Sequence, residues 1–413
     1  QAHHMIAPQH HGIVVIGAGI AGASIAHEII SRGHPVCVVE SERGPATGCS
    51  SHAYAIAHPH ITRGSAKLLQ LTRIAFELAL ARWGDQWVHR GALQPIKNGL
   101  DFDREAIARQ LEELGLSPEI AFPVSAEQAS QVAGVARAGV WFPNAGMLSL
   151  EKTTQQLLQP CAQLTQINNV QIDTLVREGN HWLLTDTAKK ITIRADKAIV
   201  AAGLDSKKLL SSIQIKLPLK PVRGQLSFFQ VDSKSDWSTR LPRSIICGDG
   251  YCIPANRLEN GNMHWIVGSS FDENESDNHP RSESDRFNQA QAAGLINYAE
   301  GDQEELIPDG QFVGIRCVAG DRLPIIGALP QRPGIFVATA FGSRGILWSA
   351  LAAKLIADQV LAGDFALLTR LGFTSALAAA LAPDRFLAGA VPPALGAFAS
   401  NSKPILPPSP RAR

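Results

Sequence analysis

A chain of 413 residues is long enough for two or three domains, and its 45% hydrophobic and 18% charged residues are the balance of a globular protein. This composition excludes an intrinsically disordered or collagen-like chain. The formal net charge of +1 provides no global attraction to nucleic acids or anionic membranes, so any polyanion must bind a local patch.

The first predicted elements form a β-α-β pattern. Residues 1–11 are rich in histidine and are expected to be a disordered leader. An apolar run at 13–16 predicts a strand, helical spacing over Ala21–Ser31 predicts a helix, and a second apolar run at 36–40 predicts another strand.

Helices and then short strands follow along the chain. The apolar spacing predicts amphipathic helices over 65–83, 102–114 and 148–164. Ser149 is the expected N-cap of the last of these helices. Short strands are predicted over 170–175, 182–185, 191–193 and 197–201.

The second half of the chain predicts a different kind of sheet. Alternation of apolar and polar residues across 218–267 indicates a meandering antiparallel sheet. The longest apolar helical segment, 346–362, contains Lys354 and Asp358 and is too short for a membrane span. The fold class is therefore mixed α/β (α+β): a Rossmann-like domain interleaved with an antiparallel-sheet domain, followed by a disordered tail at 388–413.

The six cysteines are scattered along the chain, with no CxxC pair and no metal-ligand spacing. This usage is typical of reduced intracellular thiols, so neither disulfides nor a metal site is expected. Together with the absence of a predicted membrane span, it favours a cytoplasmic location.

A glycine-rich motif, GAGIAG, lies between the first predicted strand and helix. Its first glycine permits a tight turn, its second lets the backbone approach a pyrophosphate, and its third allows helix–strand packing. Glu40 ends the second strand, where a carboxylate can bind ribose hydroxyls and repel a 2′-phosphate. The motif thus disfavours NADP but does not separate FAD from NAD. The cofactor contacts that it predicts are Gly17, Ala18, Gly19, Ile20, Ala21, Gly22 and Glu40.

Three downstream segments supply further candidates for cofactor binding. The polar loop 47–53 contains Ser50 and Ser51 and is suited to phosphate and ribityl oxygens. The apolar strand 197–201 continues into small residues, and GSRGI at 342–346 is another glycine turn between a strand and a helix.

In this order, the segments resemble the flavin-dependent D-amino-acid-oxidase and glycine-oxidase superfamily. Within it, residues 13–387 are most similar to the FAD-dependent half of the bifunctional enzymes of tRNA 5-methylaminomethyl-2-thiouridine biosynthesis. The methyltransferase half has no counterpart here, so methylation of the product is expected from a separate protein. The segments that carry the resemblance are PVRGQ (221–225), CGDGY (247–251), GIRC (314–317), DRLPIIG (321–327), FGSRG (341–345) and LAPDRF (381–386).

The resemblance implies a D-amino-acid-oxidase type of fold and noncovalent FAD. We assign 12–90, 148–215 and 310–372 to the discontinuous FAD-binding domain, and 91–147 and 216–309 to the substrate domain. Beyond the glycine motif and Glu40, the implied cofactor contacts are Ser50, Ser51, Ile172, Ala202, Gly203, Gly342, Ser343, Arg344, Gly345 and Ile346.

The resemblance also implies the catalytic residues. Arg316 and Arg344 match the arginines that bind the substrate carboxylate in the superfamily, although from composition alone pairing with a nearby acid is the commoner role of such an arginine. Tyr251 stands where a tyrosine often faces the substrate, but a core tyrosine is an alternative. Arg223 could contact the flavin, a substrate phosphate or a nearby acid.

The implied reaction is removal of the carboxymethyl group from 5-carboxymethylaminomethyl-(2-thio)uridine at the tRNA wobble position, giving 5-aminomethyl-(2-thio)uridine. One alternative is an oxidase of glycine, sarcosine or a D-amino acid, and another is a flavin-binding subunit without activity. Neither a membrane nor a metal partner is expected. For tRNA, a basic face could come from Lys189, Lys190, Arg194, Lys197, Lys207, Lys208, Lys216 and Lys220.

Overall fold

The computed structural model describes residues 8–61, 65–231, 240–257, 263–296 and 306–387. The strands in these ranges are β1 Gln9–Ile16, β2 Val36–Val39, β3 Ala55–Ala57, β4 His89–Pro95, β5 Phe122–Val124, β6 Gly139–Leu148, β7 Leu164–Ile167, β8 Thr174–Glu178, β9 His181–Asp186, β10 Ile191–Val200, β11 Leu219–Gln230, β12 Ile245–Gly248, β13 Gly250–Arg257, β14 Met263–Gly268, β15 Asp272–Glu273, β16 Pro308–Ala319, β17 Ile325–Ala328 and β18 Ile335–Thr339. The helices are α1 Ile20–Ser31, α2 Ala66–Trp83, α3 Arg104–Glu113, α4 Ala126–Ala133, α5 Leu150–Leu157, α6 Ser206–Ser211, α7 Ser282–Ile296, α8 Gly345–Val360, α9 Ala366–Arg370 and α10 Ser375–Leu381.

The chain divides into two compact units. Unit 1 contains the segment that ends at Ala53, Ser149–Pro221 and the segment that begins at Arg316, and unit 2 contains Tyr54–Leu148 and Val222–Ile315. The sequence prediction kept residues up to 90 with the FAD-binding domain, whereas the chain enters unit 2 at Tyr54. The physical reason is the short strand β3, which pairs with β6 at one edge of the sheet of unit 2.

Unit 1 is built on a largely parallel sheet. Its main strand order is β17-β18-β10-β1-β2-β7, with β8 and β9 attached to β10 as antiparallel strands. β1 lies beside β2 on one side and β10 on the other, and both pairs are parallel. This arrangement confirms the predicted mixed α/β fold with a Rossmann-like β-α-β start.

The predicted disordered leader is wrong for residues 9–11, which belong to β1. β1 remains paired with β10 as far as the register pair Gln9 and Ile193, so these polar residues are held by backbone hydrogen bonds that composition does not reveal. Residues 1–7 and the predicted disordered tail, 388–413, lie outside the described residues.

Charged residues join α1 to α8 in unit 1. Glu28 is buried and accepts from Lys354 at 2.8 Å and from Arg32 at 3.0 Å, while Arg32 also binds Asp358 at 2.6 Å. Burial raises the pKa of Glu28, but the bonds from the two cations outweigh it and lower that pKa overall. The charges that interrupt the apolar stretch of α8 therefore attach it to α1. Across the described ranges, no helix combines the length and apolar character that a bilayer crossing requires.

Unit 2 is built on a second sheet, of order β15-β11-β14-β13-β12-β4-β6-β3, with β16 on β11 and β5 on β6. Its strands are mostly antiparallel, as the alternation predicts, but β12 pairs with β4 in parallel. Its described residues include an apolar cluster around Trp265 and another around Phe142.

Several predicted elements need correction in their limits. The helix expected over 148–164 is α5, which begins after its Ser149 cap and ends at Leu157, ahead of Pro160. Proline is disfavoured inside a helix, so the chain leaves the helix and forms β7 instead. The two strands predicted at 191–193 and 197–201 are one continuous strand, β10.

The LAPDRF segment, 381–386, attaches to unit 1 through Arg385. The Arg385 guanidinium donates to both carboxylate oxygens of Asp321, at 2.7 and 3.2 Å, and to the carbonyls of Leu381 and Leu323 at 2.8 and 3.1 Å. Phe386 packs against the core of this unit. The segment therefore has a structural role: it anchors the turn that follows β16.

Arg385→Ala is expected to lower the free energy of unfolding by about 2 kcal/mol, because charge-assisted bonds to Asp321 and two carbonyls are lost together. The measurement is the urea midpoint of the variant against wild type. Arg370→Ala, at an exposed position, is the control and should change the midpoint little. Equal midpoints for wild type and Arg385→Ala would contradict the anchoring role.

Candidate functional site

The carboxyl edge of the unit 1 sheet gathers most of the predicted cofactor residues. Because β1, β2, β10 and β18 are parallel, the residues that follow them emerge at the same edge. These residues are the glycine motif after β1, Glu40 after β2, Ala202 after β10 and the 342–346 turn after β18. β1 is also the strand at which the connections change direction, which is the usual place for a ligand in an open parallel sheet.

The glycines of the motif are required by the backbone around them. Gly17 has φ of +106°, and a Cβ there would lie 2.4 Å from the carbonyl oxygen of Ala201. A Cβ on Gly22 would lie 1.9 Å from the carbonyl oxygen of Gly17. Both distances are far below contact, so neither position accepts a side chain without moving the turn.

Gly19 differs from these two glycines because it faces space. It caps α1 in an extended conformation, and a Cβ built on it would meet only the Ser50 Oγ within 4 Å, at 3.3 Å. The Ile20 amide donates to that same Oγ at 3.0 Å. The residues therefore fit a pyrophosphate, because the glycine that faces this space has no side chain and lies beside a serine hydroxyl and the free amides of the first turn of α1.

Glu40 is buried and linked directly to the glycine motif. Its Oε2 accepts from the Ala18 amide at 2.7 Å, and its Oε1 accepts from the Glu42 amide and the Ser41 hydroxyl, each at 3.0 Å. A carboxylate has about four acceptor positions, so ribose hydroxyls can still bind there. The carboxylate thus helps to hold the turn as well as being the predicted ribose ligand.

The other predicted cofactor residues of this region occupy different environments. Ser51 is in a 3-10 turn and donates to the Gly48 carbonyl at 2.7 Å. Ile172 has its side chain in the core of unit 1. Past β10, the Ala202 amide donates to the Ser206 hydroxyl at 3.2 Å, and the Gly203 carbonyl accepts from Thr339, on β18, at 2.8 Å.

Sequence reasoning did not select Thr339, a buried residue that joins the ends of β10 and β18. A threonine in an apolar strand carries no local signal of such a bond. Its partner could be known only from the packing of the two strands.

The turn before α8 brings together Gly342, Ser343, Arg344, Gly345 and Ile346. The Gly342 amide donates to the Cys317 carbonyl on β16 at 2.9 Å, and Gly342 has φ of +56°. A Cβ on Gly345 would lie 3.6 Å from Ile20 at the start of α1. The N-termini of α1 and α8 therefore lie close together at the carboxyl edge of the sheet.

Arg316 and Arg344, the predicted carboxylate ligands, both belong to unit 1. Burial lowers the pKa of the Arg344 guanidinium to about 10, and the positive charge of Arg322 contributes to this shift. Arg316, on β16, lies near the exposed Cys49 thiol, close enough for its positive charge to act to lower the pKa of that thiol. The positive charges of Arg344 and Arg322 together create a local potential that favours an anion such as a carboxylate.

Arg322 was not selected from the sequence as a site residue. It is exposed, has φ of +63° and lies on the turn that Arg385 anchors through Asp321. The DRLP motif includes Arg322 but does not indicate a role for it. The effect of the Arg322 charge on Arg344 depends on the tertiary structure, which brings the two residues together.

Tyr251 and Arg223 belong to unit 2. Tyr251 lies on β13, half-buried at the margin of an apolar cluster, opposite Cys247 and Gly268 in the neighbouring strands. Arg223 is completely buried.

The Arg223 guanidinium is occupied by neighbours of its own unit. It donates to the Gln225 side chain at 2.7 Å and to Asp272 at 3.1 Å. It also binds the His279 carbonyl at 2.6 Å. Of the three predicted alternatives for Arg223, these contacts favour pairing with an acid.

The eight basic residues predicted as one face are distributed over several elements of unit 1. Lys189 and Lys190 precede β10, whereas Lys207 and Lys208 follow its carboxyl end. The two groups are nevertheless linked through Asp173: this carboxylate accepts from Thr187, near Lys189, at 2.6 Å, which lowers its pKa, and the charge of Lys208 contributes to lowering that pKa. Arg194 is also paired with Glu178 at 2.7 Å. A basic surface near the site could include only part of the predicted set.

Comparison with known proteins identifies the family. Residues 12–359 match the model of the DAO family, which is described as FAD dependent oxidoreductase. The chain belongs to this family. It is an FAD-dependent oxidoreductase with FAD as its cofactor, in agreement with the space at Gly19 and the amide-bearing turn beside it.

The curated relatives include tRNA-modifying enzymes. The chain is 32% identical to the tRNA 5-methylaminomethyl-2-thiouridine biosynthesis bifunctional protein MnmC of Ralstonia nicotianae, over 92% of this chain and 61% of that protein. It is 31% identical to the protein of the same name from Marinobacter nauticus, over 87% of this chain and 57% of that protein. The chain thus spans about three fifths of the length of these relatives.

Solved structures share the fold at lower identity. Glycine oxidase from Geobacillus kaustophilus matches with a TM-score of 0.70 and 21% identity, over 89% of this chain and 99% of that one. L-proline dehydrogenase from P. horikoshii matches with a TM-score of 0.68 and 18% identity, over 92% of this chain and 98% of that one. These likenesses confirm the D-amino-acid-oxidase type of fold.

Proposed function

We propose that this oxidoreductase removes the carboxymethyl group from 5-carboxymethylaminomethyl-(2-thio)uridine at the wobble position of tRNA. The observation that carries the proposal is the position of Arg344 in the turn before α8, beside the start of α1 at the carboxyl edge of the unit 1 sheet, where its guanidinium can bind a substrate carboxylate. The names of the curated relatives support tRNA as the molecule that bears this carboxylate.

The reaction oxidises a carbon–nitrogen bond. The methylene group between the amine and the carboxylate loses a hydride and the amine nitrogen loses a proton, which leaves an imine. Water then hydrolyses the imine to glyoxylate and the 5-aminomethyl group on the base. When bound, FAD supplies the two-electron acceptor. No protein nucleophile is needed, so the chain's residues bind, orient and desolvate the substrate.

The arginines would provide the orientation. A guanidinium binds a carboxylate with two parallel hydrogen bonds, which fixes the plane of the carboxylate and with it the adjoining methylene group. We assign this role to Arg316 and Arg344. Tyr251 is proposed as a further residue that faces the substrate, and the glycine motif, Glu40 and the 342–346 turn as the FAD contacts.

The test compares substrates by the anaerobic loss of yellow flavin absorbance. Fast reduction is expected with tRNA that bears the carboxymethylaminomethyl group, and little with the same tRNA lacking it. Because phosphate contacts contribute to tRNA binding, the rate at limiting tRNA should fall at least about tenfold from low to high salt. A nucleoside digest should show the aminomethyl product.

Glycine and sarcosine are the controls for the alternative function. A small zwitterion is recognised locally, so a true amino-acid oxidase would reduce its flavin quickly with little dependence on salt. Fast reduction by glycine or sarcosine and none by the modified tRNA would replace the proposal with a small-molecule oxidase. If neither the modified tRNA nor the amino acids reduce the flavin, the result would instead favour a flavin-binding subunit without activity.

A further inference from the structure

Three side chains from neighbouring strands of unit 1 meet at the amino end of its sheet. His10 on β1 and His181 on β9 both contact Asp196 on β10, with Nε2 and Nδ1 at 2.7 and 2.6 Å from the same Oδ1. One ligand atom from each residue lies within 4.8 Å of the others. We call these three residues the His10 cluster.

The pairing of the strands produces this convergence. Trp182 on β9 is opposite Ala195 on β10, which puts the preceding His181 beside Asp196. His11 and Ile13 are opposite Ala195 and Lys197, so Gly12 lies opposite Asp196.

Gly12 leaves space beside the carboxylate. A Cβ there would approach the Asp196 Oδ2 to 3.9 Å, and the glycine has no side chain beyond that point. The register therefore places two imidazoles and a carboxylate together and keeps room for an additional atom.

Two imidazole nitrogens and a carboxylate oxygen are a donor set for zinc. Tetrahedral zinc with ligands at about 2.0–2.2 Å holds its donors about 3.3 Å apart. The two hydrogen bonds of the cluster would therefore have to lengthen by about 0.6 Å. The three side chains are 40–48% exposed, so small rotations can supply this change without disturbing the core.

We propose that the His10 cluster is a Zn²⁺ site with ligands His10, His181 and Asp196 and with water completing the coordination. It lies at the opposite end of β1 from the glycine motif, about 20 Å away by the rise of a strand, so the metal would act apart from the flavin. By joining β1 and β9 to β10, it would stabilise the start of the first strand. The ligands come from distant segments of the chain, which explains why cysteine and histidine spacing predicted no metal.

The test is titration of the EDTA-treated, desalted holoenzyme with ZnCl₂ by isothermal calorimetry, together with thermal unfolding. Wild type should bind one Zn²⁺ per chain, and its Tm should rise with added metal because only the folded state presents the site. Asp196→Asn and His181→Asn should each weaken binding at least about tenfold and remove the shift in Tm. Absence of stoichiometric binding to wild type would overturn the proposal, whatever the variants do.

Control variants separate the cluster from other histidines. His279→Asn alters an exposed histidine that bonds Asp277, and should bind Zn²⁺ as wild type does. A His3→Gln/His4→Gln variant removes two imidazoles near the start of the chain and should also retain binding. Loss of binding in that double variant, or full binding in Asp196→Asn, would contradict the proposed ligands. If Asp196→Asn does not fold, His10→Gln replaces it in the same comparison.

Discussion

Gly19→Val is expected to abolish FAD binding and to leave the fold intact. The Gly19 backbone is extended, with φ of −73° and ψ of 179°, so a side chain causes no backbone strain. A Cβ would meet only the Ser50 hydroxyl within 4 Å, at 3.3 Å, and the two valine methyl groups would extend into the space assigned to the pyrophosphate. The dissociation constant of FAD should rise at least about a hundredfold, or about 2.7 kcal/mol.

The measurement is the ratio of flavin to protein after purification, with circular dichroism to verify the fold. Gly44→Ala is the matched control, because a Cβ at Gly44 meets nothing within 4 Å, and it should purify fully yellow. Gly22→Ala should behave differently from both, with loss of stability as well as flavin, because its Cβ would lie 1.9 Å from the Gly17 carbonyl oxygen. A normal ratio of flavin to protein in Gly19→Val would show that the pyrophosphate does not bind at this turn.

Local sequence signals predicted the parts of the fold that depend on neighbouring residues. The β1-α1-β2 start follows from glycine spacing and apolar runs, and the Ser149 cap of α5 follows from residue type alone. The end of α5 was misjudged because the apolar stripe continues past Leu157, although Pro160 is a signal against the longer helix.

Features that depend on distant pairing were not predictable in the same way. β3 is three residues long, and only its partner β6 assigns the chain after Tyr54 to unit 2. β7 was missed because Leu164–Ile167 is a short segment that becomes a strand by pairing with β2. β1 extends back to Gln9 for the same reason, since β10 supplies its hydrogen bonds.

The candidate site also combines features set by local sequence with features set by distant contacts. The glycine motif and Glu40 are predictable from the sequence because their spacing in the chain reflects a local turn. The bond from the Ala18 amide to Glu40, the approach of Arg322 to Arg344 and the meeting of His10 with Asp196 join segments far apart in sequence. Residue type indicates that such groups need partners, but the identity of each partner comes from the fold.

Arg316→Ala and Arg344→Ala are each expected to lower kcat/KM by about 30-fold to several thousand-fold, equivalent to about 2–5 kcal/mol. Without one guanidinium, the substrate carboxylate enters a desolvated site with incomplete pairing, and the methylene group loses its orientation. Arg344→Lys should recover part of the loss, because an ammonium keeps the charge but lacks the planar fork. The measurement is the anaerobic flavin-reduction rate with modified tRNA.

Flavin content separates substrate binding from cofactor binding in these variants. Arg316→Ala should keep a normal flavin ratio, whereas Arg344→Ala can lose some flavin because its turn lies beside the start of α1. Rates are therefore divided by bound flavin. Arg43→Ala, at an exposed position after β2, is the charge-matched control and should react as wild type does. If both site variants react at the wild-type rate per flavin, neither arginine binds the substrate carboxylate.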